Sequence, residues 1–230
     1  MTPAAFIRAN TALTHDAFVP EIALHLATEI TPIWQATEAW LEQVALDPPM
    51  GLPGGGGSTA SIGIAPPFWA FAWPGGLALA RLLLDAPTRV RGLRVLDFAS
   101  GCGIGAIAAA MAGATVEASE IDPLAVAATR LNAAVNGMAV EALHADLVGA
   151  ENRWDVILAG DICYEAPMAA RILPWLRAMA GAGASVLLAD PGRAYFCATG
   201  LETVARFTVP TTRELEDRDT REVVIARIPA

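Results

Sequence analysis

Short apolar runs alternate with longer helix-forming stretches along most of the chain. The apolar runs predict β-strands, which lie at Val95–Phe98, Thr115–Ser119, Val140–His144, Trp154–Ala159 and Ser185–Ala189. The helix-forming stretches lie at Ala106–Ala112, Pro123–Asn136 and Ala166–Ala180. We therefore expect an α/β fold with a parallel sheet, because parallel strands need crossover connections of this kind.

The two ends of the chain depart from this alternation. Ala205–Thr212 and Thr220–Ile228 predict two strands with no helix between them, so we expect an antiparallel hairpin at the edge of the sheet. Near the start, Thr2–Thr11 predicts a short helix, Ile22–Leu26 an extended segment and Thr31–Leu46 a second helix.

A stretch rich in glycine and proline separates this start from the rest. Asp47–Pro67 contains Pro48-Pro49 and Gly54–Gly57, which do not favour regular structure. We interpret the stretch as a connector, with a lid that orders on substrate binding as the alternative. The chain is thereby divided into an N-terminal extension with its loop, residues 1–65, and a main domain, residues 66–230.

The first strand of the main domain ends in a glycine-rich turn. Gly101, Gly103 and Gly105 alternate after Val95–Phe98 and before a helix. Glycine lets a ligand lie against bare backbone, and a helix start offers free N–H groups, so the turn predicts a nucleotide site. The next strand ends at Glu120, whose carboxylate can accept hydrogen bonds from both hydroxyls of a ribose. The spacing also satisfies the dinucleotide-binding pattern, so the turn alone leaves the nucleotide open.

Further polar residues follow the later strands, and ligands of open α/β sheets bind beyond these strand ends. Asp146 follows the third strand and can accept a hydrogen bond from the exocyclic amine of an adenine. Asp122 is an alternative for that role, or else a helix cap. Gly160 and Asp161 follow the fourth strand.

An aromatic cluster precedes the predicted sheet, within Phe68–Trp73. We expect Phe68 and Phe71 to fill the core. Trp73 stands just before a helix start at Pro74, so we expect it to form one wall of the nucleotide site. A lone histidine, His25, is interpreted as structural.

Composition narrows the class of protein. The chain has 230 residues, of which 54% are hydrophobic, and this is enough for one domain with a substantial core. Its net charge of −9 argues against a nucleic-acid partner. Phe98–Val116 is uncharged and long enough to cross a membrane as a helix. Its glycines, including Gly113 before the next strand, interrupt such a helix, so we expect no membrane span. Cys102, Cys163 and Cys197 are widely spaced, which predicts free thiols in the cytoplasm and no metal site.

Two stretches carry a specific resemblance. They are Phe68–Gly76, which ends in Trp-Pro-Gly-Gly, and Gly160–Tyr164, which contains Asp-x-x-Tyr after the fourth strand. With Val95–Gly105 and Glu120–Pro123 they resemble the seven-strand lysine methyltransferases, especially those that modify the β-subunit of electron transfer flavoprotein. The predicted C-terminal hairpin also resembles that class, and the likeness runs over most of the chain.

This resemblance implies a fold and a reaction. The fold is a Rossmann-like, seven-stranded class I methyltransferase sheet with a C-terminal antiparallel hairpin and an N-terminal helical extension. The methyl donor is S-adenosylmethionine, which leaves as S-adenosylhomocysteine, and the protein partner is the flavoprotein β-subunit. The alternatives are a ribosomal-protein methyltransferase, an NAD-dependent oxidoreductase and a non-catalytic adaptor.

The resemblance also assigns roles to the candidate residues. Asp161 is expected to orient the lysine amine and guide its proton away, and Tyr164 to wall the amine channel. The expected cofactor contacts are Trp73, Ser100, Gly101, Gly103, Gly105, Glu120, Asp146 and Gly160. The alternative for Asp161 is that it only caps the following helix.

Overall fold

The computed structural model describes residues 2–28, 67–196 and 198–230. Its strands are β1 (Ala12–Asp16), β2 (Val19–Leu26), β3 (Arg94–Phe98), β4 (Thr115–Glu120), β5 (Glu141–His144), β6 (Val156–Gly160), β7 (Ser185–Asp190), β8 (Glu202–Pro210) and β9 (Thr220–Ile228). Its α-helices are α1 (Pro3–Asn10), α2 (Pro74–Asp85), α3 (Ile104–Met111), α4 (Pro123–Val135), α5 (Ala166–Gly181) and α6 (Arg213–Glu216). The predicted helix at 31–46 and the glycine loop at 54–57 lie outside the described residues.

Seven strands form the main sheet in the order β5-β4-β3-β6-β7-β9-β8. The first five of these are parallel, and β9 pairs antiparallel with both β7 and β8. The predicted parallel sheet with an antiparallel edge hairpin is thus confirmed. The expectation of no helix between the last two strands is wrong, because the single turn α6 lies there.

The sheet reverses its direction of growth between β3 and β6, which is where an open α/β sheet binds its ligand. Successive residues of β3 belong to different apolar clusters: Val95 packs with α2 and α3, and Leu96 packs with α5. Since side chains of a strand alternate between faces, the helices cover the sheet from both sides. No helix in the described ranges is both long and apolar enough to cross a bilayer.

The N-terminal extension contains a β-hairpin as well as a helix, so the expectation of a helical extension is too narrow. The hairpin is fixed to α4 by two asparagines. The backbone N–H of His25 donates to Asn132 Oδ1 at 2.8 Å, and that of Ala23 donates to Asn136 Oδ1 at 2.9 Å. The His25 ring is buried against Thr11 Oγ1, as expected of a structural histidine.

The aromatic cluster packs differently from the expectation for Phe68. A 3₁₀ turn over Phe68–Ala70 directs Trp69 into the core, where it is 1% exposed, and leaves Phe68 44% exposed. Phe71 is buried, as expected. The turn shifts the buried position by one residue, and periodicity in a short segment does not reveal such a shift.

Asp97 is a buried carboxylate in the centre of β3. Its Oδ2 accepts a hydrogen bond from the backbone N–H of Ala106 at 2.7 Å, in the first turn of α3. A Cβ on Gly105 would lie 3.0 Å from both carboxylate oxygens, so glycine permits the approach. Burial raises the pKa of Asp97 to about 7, against the opposing effect of the Ala106 bond.

This raised pKa predicts a pH-dependent effect of Asp97→Asn on stability. The folded chain binds a proton at Asp97 between about pH 4 and pH 7 more readily than the unfolded chain, so the wild type loses stability as pH rises through this range. Asparagine keeps an acceptor for Ala106 without a charge. Urea unfolding at pH 5 and pH 8 should therefore show the variant gaining on the wild type at pH 8. A difference independent of pH would contradict the assignment.

Candidate active site

A cavity of about 440 Å³ opens beyond the carboxyl ends of β3, β4 and β6, and we call it the main cavity. The predicted site residues in its lining are Trp73, Gly101, Glu120, Asp146, Gly160, Asp161 and Tyr164. The sequence thus identified residues from five separate segments that the fold brings to one place. Ser100, Gly103 and Gly105 are predicted contacts that lie outside this lining.

The glycines of the turn have different structural roles. Gly101 has a φ of +54° and lines the main cavity. Gly103 has a φ of +81°, and a Cβ there would lie 2.8 Å from Thr129 Cγ2 on α4. Gly105 makes room for the Asp97 carboxylate described above. The alternation of glycines therefore reflects close packing of β3, α3 and α4 as well as ligand access.

Glu120 is placed to receive a diol. Its Oε1 accepts from the Gly101 N–H at 2.9 Å and its Oε2 from the Ile121 N–H at 3.0 Å. A carboxylate offers about four lone-pair sites, so Glu120 keeps acceptor capacity for a further donor. Burial raises the pKa of Glu120, while these backbone bonds lower it.

Asp146 and Asp122, the two candidates for the adenine contact, differ in their hydrogen-bond partners. Asp146 lines the main cavity, where its Oδ2 pairs with Arg171 and its Oδ1 accepts from the Val148 N–H at 3.1 Å. The Arg171 bond lowers the pKa of Asp146. Asp122 accepts from the Leu124 N–H at 2.7 Å and so caps α4, which was one of its two predicted roles.

Aromatic side chains form one wall of the main cavity. Trp73 Nε1 donates to the carbonyl of Phe68 at 2.8 Å, and the ring centroids of Phe68 and Tyr164 are 5.7 Å apart. Trp73 therefore lies in a wall of the main cavity, and its contact with the nucleotide stays a prediction. Phe68 belongs to the same wall although it was assigned to the core.

Asp161, which also lines the main cavity, anchors a helix. Its Oδ2 accepts from the backbone N–H groups of Gly75 at 2.7 Å and Gly76 at 3.2 Å, in the first turn of α2. Trp73, the N-cap residue of α2, makes no side-chain cap bond, so Asp161 supplies the missing acceptor. The alternative prediction had Asp161 capping the following helix, α5; the helix it caps is α2.

Two motifs of the sequence therefore form one unit. A Cβ on Gly75 would lie 2.5 Å from Asp161 Oδ2, and a Cβ on Gly160 would lie 3.0 Å from the nitrogen of Gly76. Asp161 itself has a φ of +56°. The glycines of Trp-Pro-Gly-Gly and of β6 thus permit the contact between helix and strand end that holds Asp161 in place.

Arg193 completes the surroundings of Asp161. Its Nη2 donates to Asp161 Oδ1 at 3.0 Å and to Glu216 Oε1 at 2.8 Å, and its guanidinium lies 5.7 Å from the Trp73 ring centroid. The other oxygen of Glu216 accepts from Arg221 at 3.0 Å. Burial raises the pKa of Asp161 to about 6, and the Arg193 charge opposes that rise.

Sequence reasoning missed Arg193 and Glu216. A signal for Arg193 was present, because it follows β7 in Asp190-Pro191-Gly192-Arg193, and β7 ends at the same edge of the sheet. Glu216 carries no local signal, because its partners Arg193 and Arg221 lie in different segments. In the described part of the chain, no group of histidines, cysteines and carboxylates is arranged to hold a metal ion.

Sequence comparison finds relatives over most of the chain. An electron transfer flavoprotein beta subunit lysine methyltransferase from Xenopus laevis is 42% identical over 199 residues, covering 84% of this chain and 72% of the relative. The proteins of that name from Danio rerio and Homo sapiens are 35% and 36% identical, and the matches cover 78% and 67% of their lengths.

Two other comparisons concern a second protein family and a solved structure. The family of ribosomal protein L11 methyltransferases (PrmA) matches residues 78–173. A magnesium protoporphyrin IX methyltransferase from Synechocystis, solved with bound SAM, matches with a TM-score of 0.51 and 16% identity over 87% of this chain and 99% of that one. At this level of identity the structural likeness shows a shared fold, and it confirms the predicted class I sheet.

The contact between Asp161 and α2 predicts an unusual response to Gly75→Ala. Alanine normally stabilises a helix relative to glycine. Here its Cβ would force Asp161 away, so we expect the free energy of unfolding to fall by about 2 kcal/mol, the scale of a lost hydrogen bond to a charged group.

The matched control for this variant is Gly181→Ala. Gly181 ends α5, and a Cβ there would meet nothing within 4 Å. This substitution should be neutral or stabilising in the same urea titration. Equal effects of the two substitutions would show that the contact between Asp161 and α2 contributes nothing to stability.

Proposed function

Because the chain belongs to the family of electron transfer flavoprotein β-subunit lysine methyltransferases, we propose that its substrate is a lysine of that flavoprotein subunit. The chain is a methyltransferase that uses S-adenosylmethionine. The observation that carries the proposed substrate is the 42% identity to the Xenopus laevis relative over 72% of that relative's length. The direct test is incubation of the purified chain with labelled S-adenosylmethionine and flavoprotein β-subunit.

The main cavity suits the methyl donor. Glu120 lines the cavity with acceptor capacity left for hydroxyl donors, and Trp73 and Phe68 supply an aromatic surface. A volume of about 440 Å³ is in the range of pockets that bury a ligand of drug size. When bound, S-adenosylmethionine supplies a methyl group on a positively charged sulfur, and the bond to sulfur breaks as the bond to nitrogen forms.

Asp161 and Tyr164 would act on the acceptor. A free lysine has a pKa of about 10.4, so at neutral pH its amine must lose a proton before it can attack. Asp161 Oδ2 already accepts two backbone bonds, whereas Oδ1 accepts only from Arg193 among the described residues and keeps a site for one amine hydrogen. This remaining site would orient the nitrogen lone pair, while the Tyr164 ring restricts its approach.

A ribosomal-protein substrate is the second candidate, because the PrmA family matches residues 78–173. That match covers Gly101, Glu120, Asp146 and the Asp-x-x-Tyr segment, which line the main cavity, while Phe68 and Trp73 of the aromatic wall lie before it. It stops before Arg193 and the C-terminal hairpin. The likeness therefore supports the methyl donor more than the acceptor, and a parallel incubation with ribosomal protein L11 separates the two substrates.

We also propose that the chain functions in the cytoplasm. Cys102 and Cys163 are buried free thiols, and burial raises the pKa of each to about 12. Unpaired cysteines are typical of reducing compartments.

Glu120→Ala should weaken binding of S-adenosylmethionine at least tenfold. Two charge-assisted bonds to ribose hydroxyls, each of about 1.5–3 kcal/mol, would be lost. Calorimetric titration with S-adenosylmethionine measures the effect, and circular dichroism checks that the fold is kept. An unchanged affinity in a folded variant would rule out Glu120 as the ribose ligand.

Asp161→Asn should leave cofactor affinity nearly unchanged and slow methyl transfer about 10²-fold or more, the usual scale for a lost acid–base group. Single-turnover methylation of the flavoprotein β-subunit measures the rate. The variant also weakens the pairing with Arg193, so a loss of stability is expected with it. Full activity of the Asp161→Asn variant would show that Asp161 acts only as a helix cap.

The pH dependence of the methylation rates of the wild type and Asp161→Asn distinguishes a role of Asp161 in catalysis from a role as a helix cap only. The free lysine substrate titrates identically in both reactions, so the pH dependence of the ratio of wild-type to Asp161→Asn rates measures what the Asp161 carboxylate adds. Because the pKa of Asp161 is about 6, the ratio should be constant above about pH 7 and fall as pH decreases through 6. A ratio independent of pH would mean that the charge of Asp161 does not contribute.

A further inference from the structure

A second, smaller cavity of about 210 Å³ lies beside the main cavity, and we call it the side cavity. Its lining consists of Tyr164, the segment Pro191–Ala194, Glu216 and Arg221. We propose that the acceptor lysine enters through the side cavity and meets the methyl donor at the wall formed by Tyr164 and Arg193. This inference rests on the proposed lysine methylation and locates the path of the acceptor.

The shared wall is the first argument. Tyr164 and Arg193 line both cavities, so the two spaces are separated by little more than these side chains. Transfer of a methyl group requires the reacting atoms to approach within about 3–3.5 Å. An acceptor that arrives in the side cavity is therefore delivered to the part of the main cavity that holds Asp161.

The charges around the side cavity are the second argument. Glu216 is buried, with its side chain 3% exposed, and it is neutralised by Arg193 and Arg221. Arg193 also carries the pairing to Asp161 Oδ1. An amine bonded to the free site on Oδ1 would lie between the Asp161 carboxylate, which favours the ammonium form, and the fixed Arg193 guanidinium, which disfavours it. The pair thus orients the amine without adding net charge around it, and the amine gives its proton to solvent before methyl transfer.

The rim of the side cavity is the third argument. Gly192 and Ala194 are small and exposed, while Glu216 and Arg193 lie deeper. A lysine side chain is long, unbranched and thin, so small rim residues admit it and a large one would block it. Ala194 makes no side-chain bond to the buried charges, so it can be enlarged without disturbing Asp161 directly.

The test uses a probe that needs no protein substrate. The probe is an analogue of S-adenosylhomocysteine in which nitrogen replaces the sulfur. An ethylene group links this nitrogen to an amine at the position of the lysine nitrogen, and an alkyl group of the length of a lysine side chain continues from that amine. Calorimetry compares its affinity with that of S-adenosylhomocysteine itself. We expect the alkyl group of the probe to increase its affinity for the wild-type protein about tenfold or more, because this group fills the side cavity.

Ala194→Trp should remove this gain and leave the affinity for S-adenosylhomocysteine unchanged. The matched control is Ala182→Trp, an exposed alanine after α5 near the start of β7, which should keep both affinities. If Ala194→Trp does not fold, Ala194→Arg replaces it. No gain in the wild type, or a gain that persists in the folded position-194 variant, would overturn the proposed path.

Kinetics with the flavoprotein β-subunit distinguish this failure from that of the proposed function. If the wild type methylates the subunit, Ala194→Trp should lower kcat/KM for it at least tenfold at saturating S-adenosylmethionine. If the wild type does not methylate it, the proposed substrate is wrong. The analogue measurement then still decides the path of the acceptor.

Discussion

The burial of the Asp161 carboxylate constrains the rest of the site. A buried charge is costly unless it is paired and hydrogen-bonded, and Asp161 meets this condition with the first turn of α2 on one oxygen and Arg193 on the other. Gly75 must be glycine for the helix to approach, and Glu216 must be buried to hold Arg193. The C-terminal hairpin is thus connected to a strand end in the centre of the sheet, and a change at either place reaches the other.

A second buried carboxylate repeats this arrangement. Asp97 holds the first turn of α3 as Asp161 holds the first turn of α2, and these two helices pack against each other. Each carboxylate lies near the positive end of a helix dipole, which favours its charge although burial disfavours it. Asp161 itself and Ala99, two residues after Asp97, have φ values of +56° and +54°. Such backbone is uncommon outside glycine, and it persists here because the surrounding hydrogen bonds determine it.

Local patterns allowed the sheet and most of the cavity wall to be predicted. Strands β6 and β7 are almost continuous apolar runs because they are buried on both faces, and such runs are visible in the sequence. Strand β3 adds one buried carboxylate, Asp97, to such a run, and β4 shows a weaker alternation in which Val116 and Ala118 are buried. Strand β1 was missed because exposed residues, Leu13 and His15, alternate in it with half-buried ones, and no apolar side results. Helix α6 was missed because one turn has no periodicity. Arg193 and Glu216 are paired by the fold across segments, and contacts between distant segments leave no spacing to recognise.

The docking of the β1–β2 hairpin has a consequence for the order in which the chain folds during synthesis. The N–H groups of Ala23 and His25 bond to asparagines more than a hundred positions later, at Asn136 and Asn132. A ribosome adds about 5–20 residues per second, so the hairpin waits several seconds before α4 emerges. During that interval the apolar residues of β2, such as Ile22 and Leu24, lack the later parts of the chain that bury them in the folded protein. This delay exposes a segment prone to association, and chaperone binding is directed at surfaces of that kind.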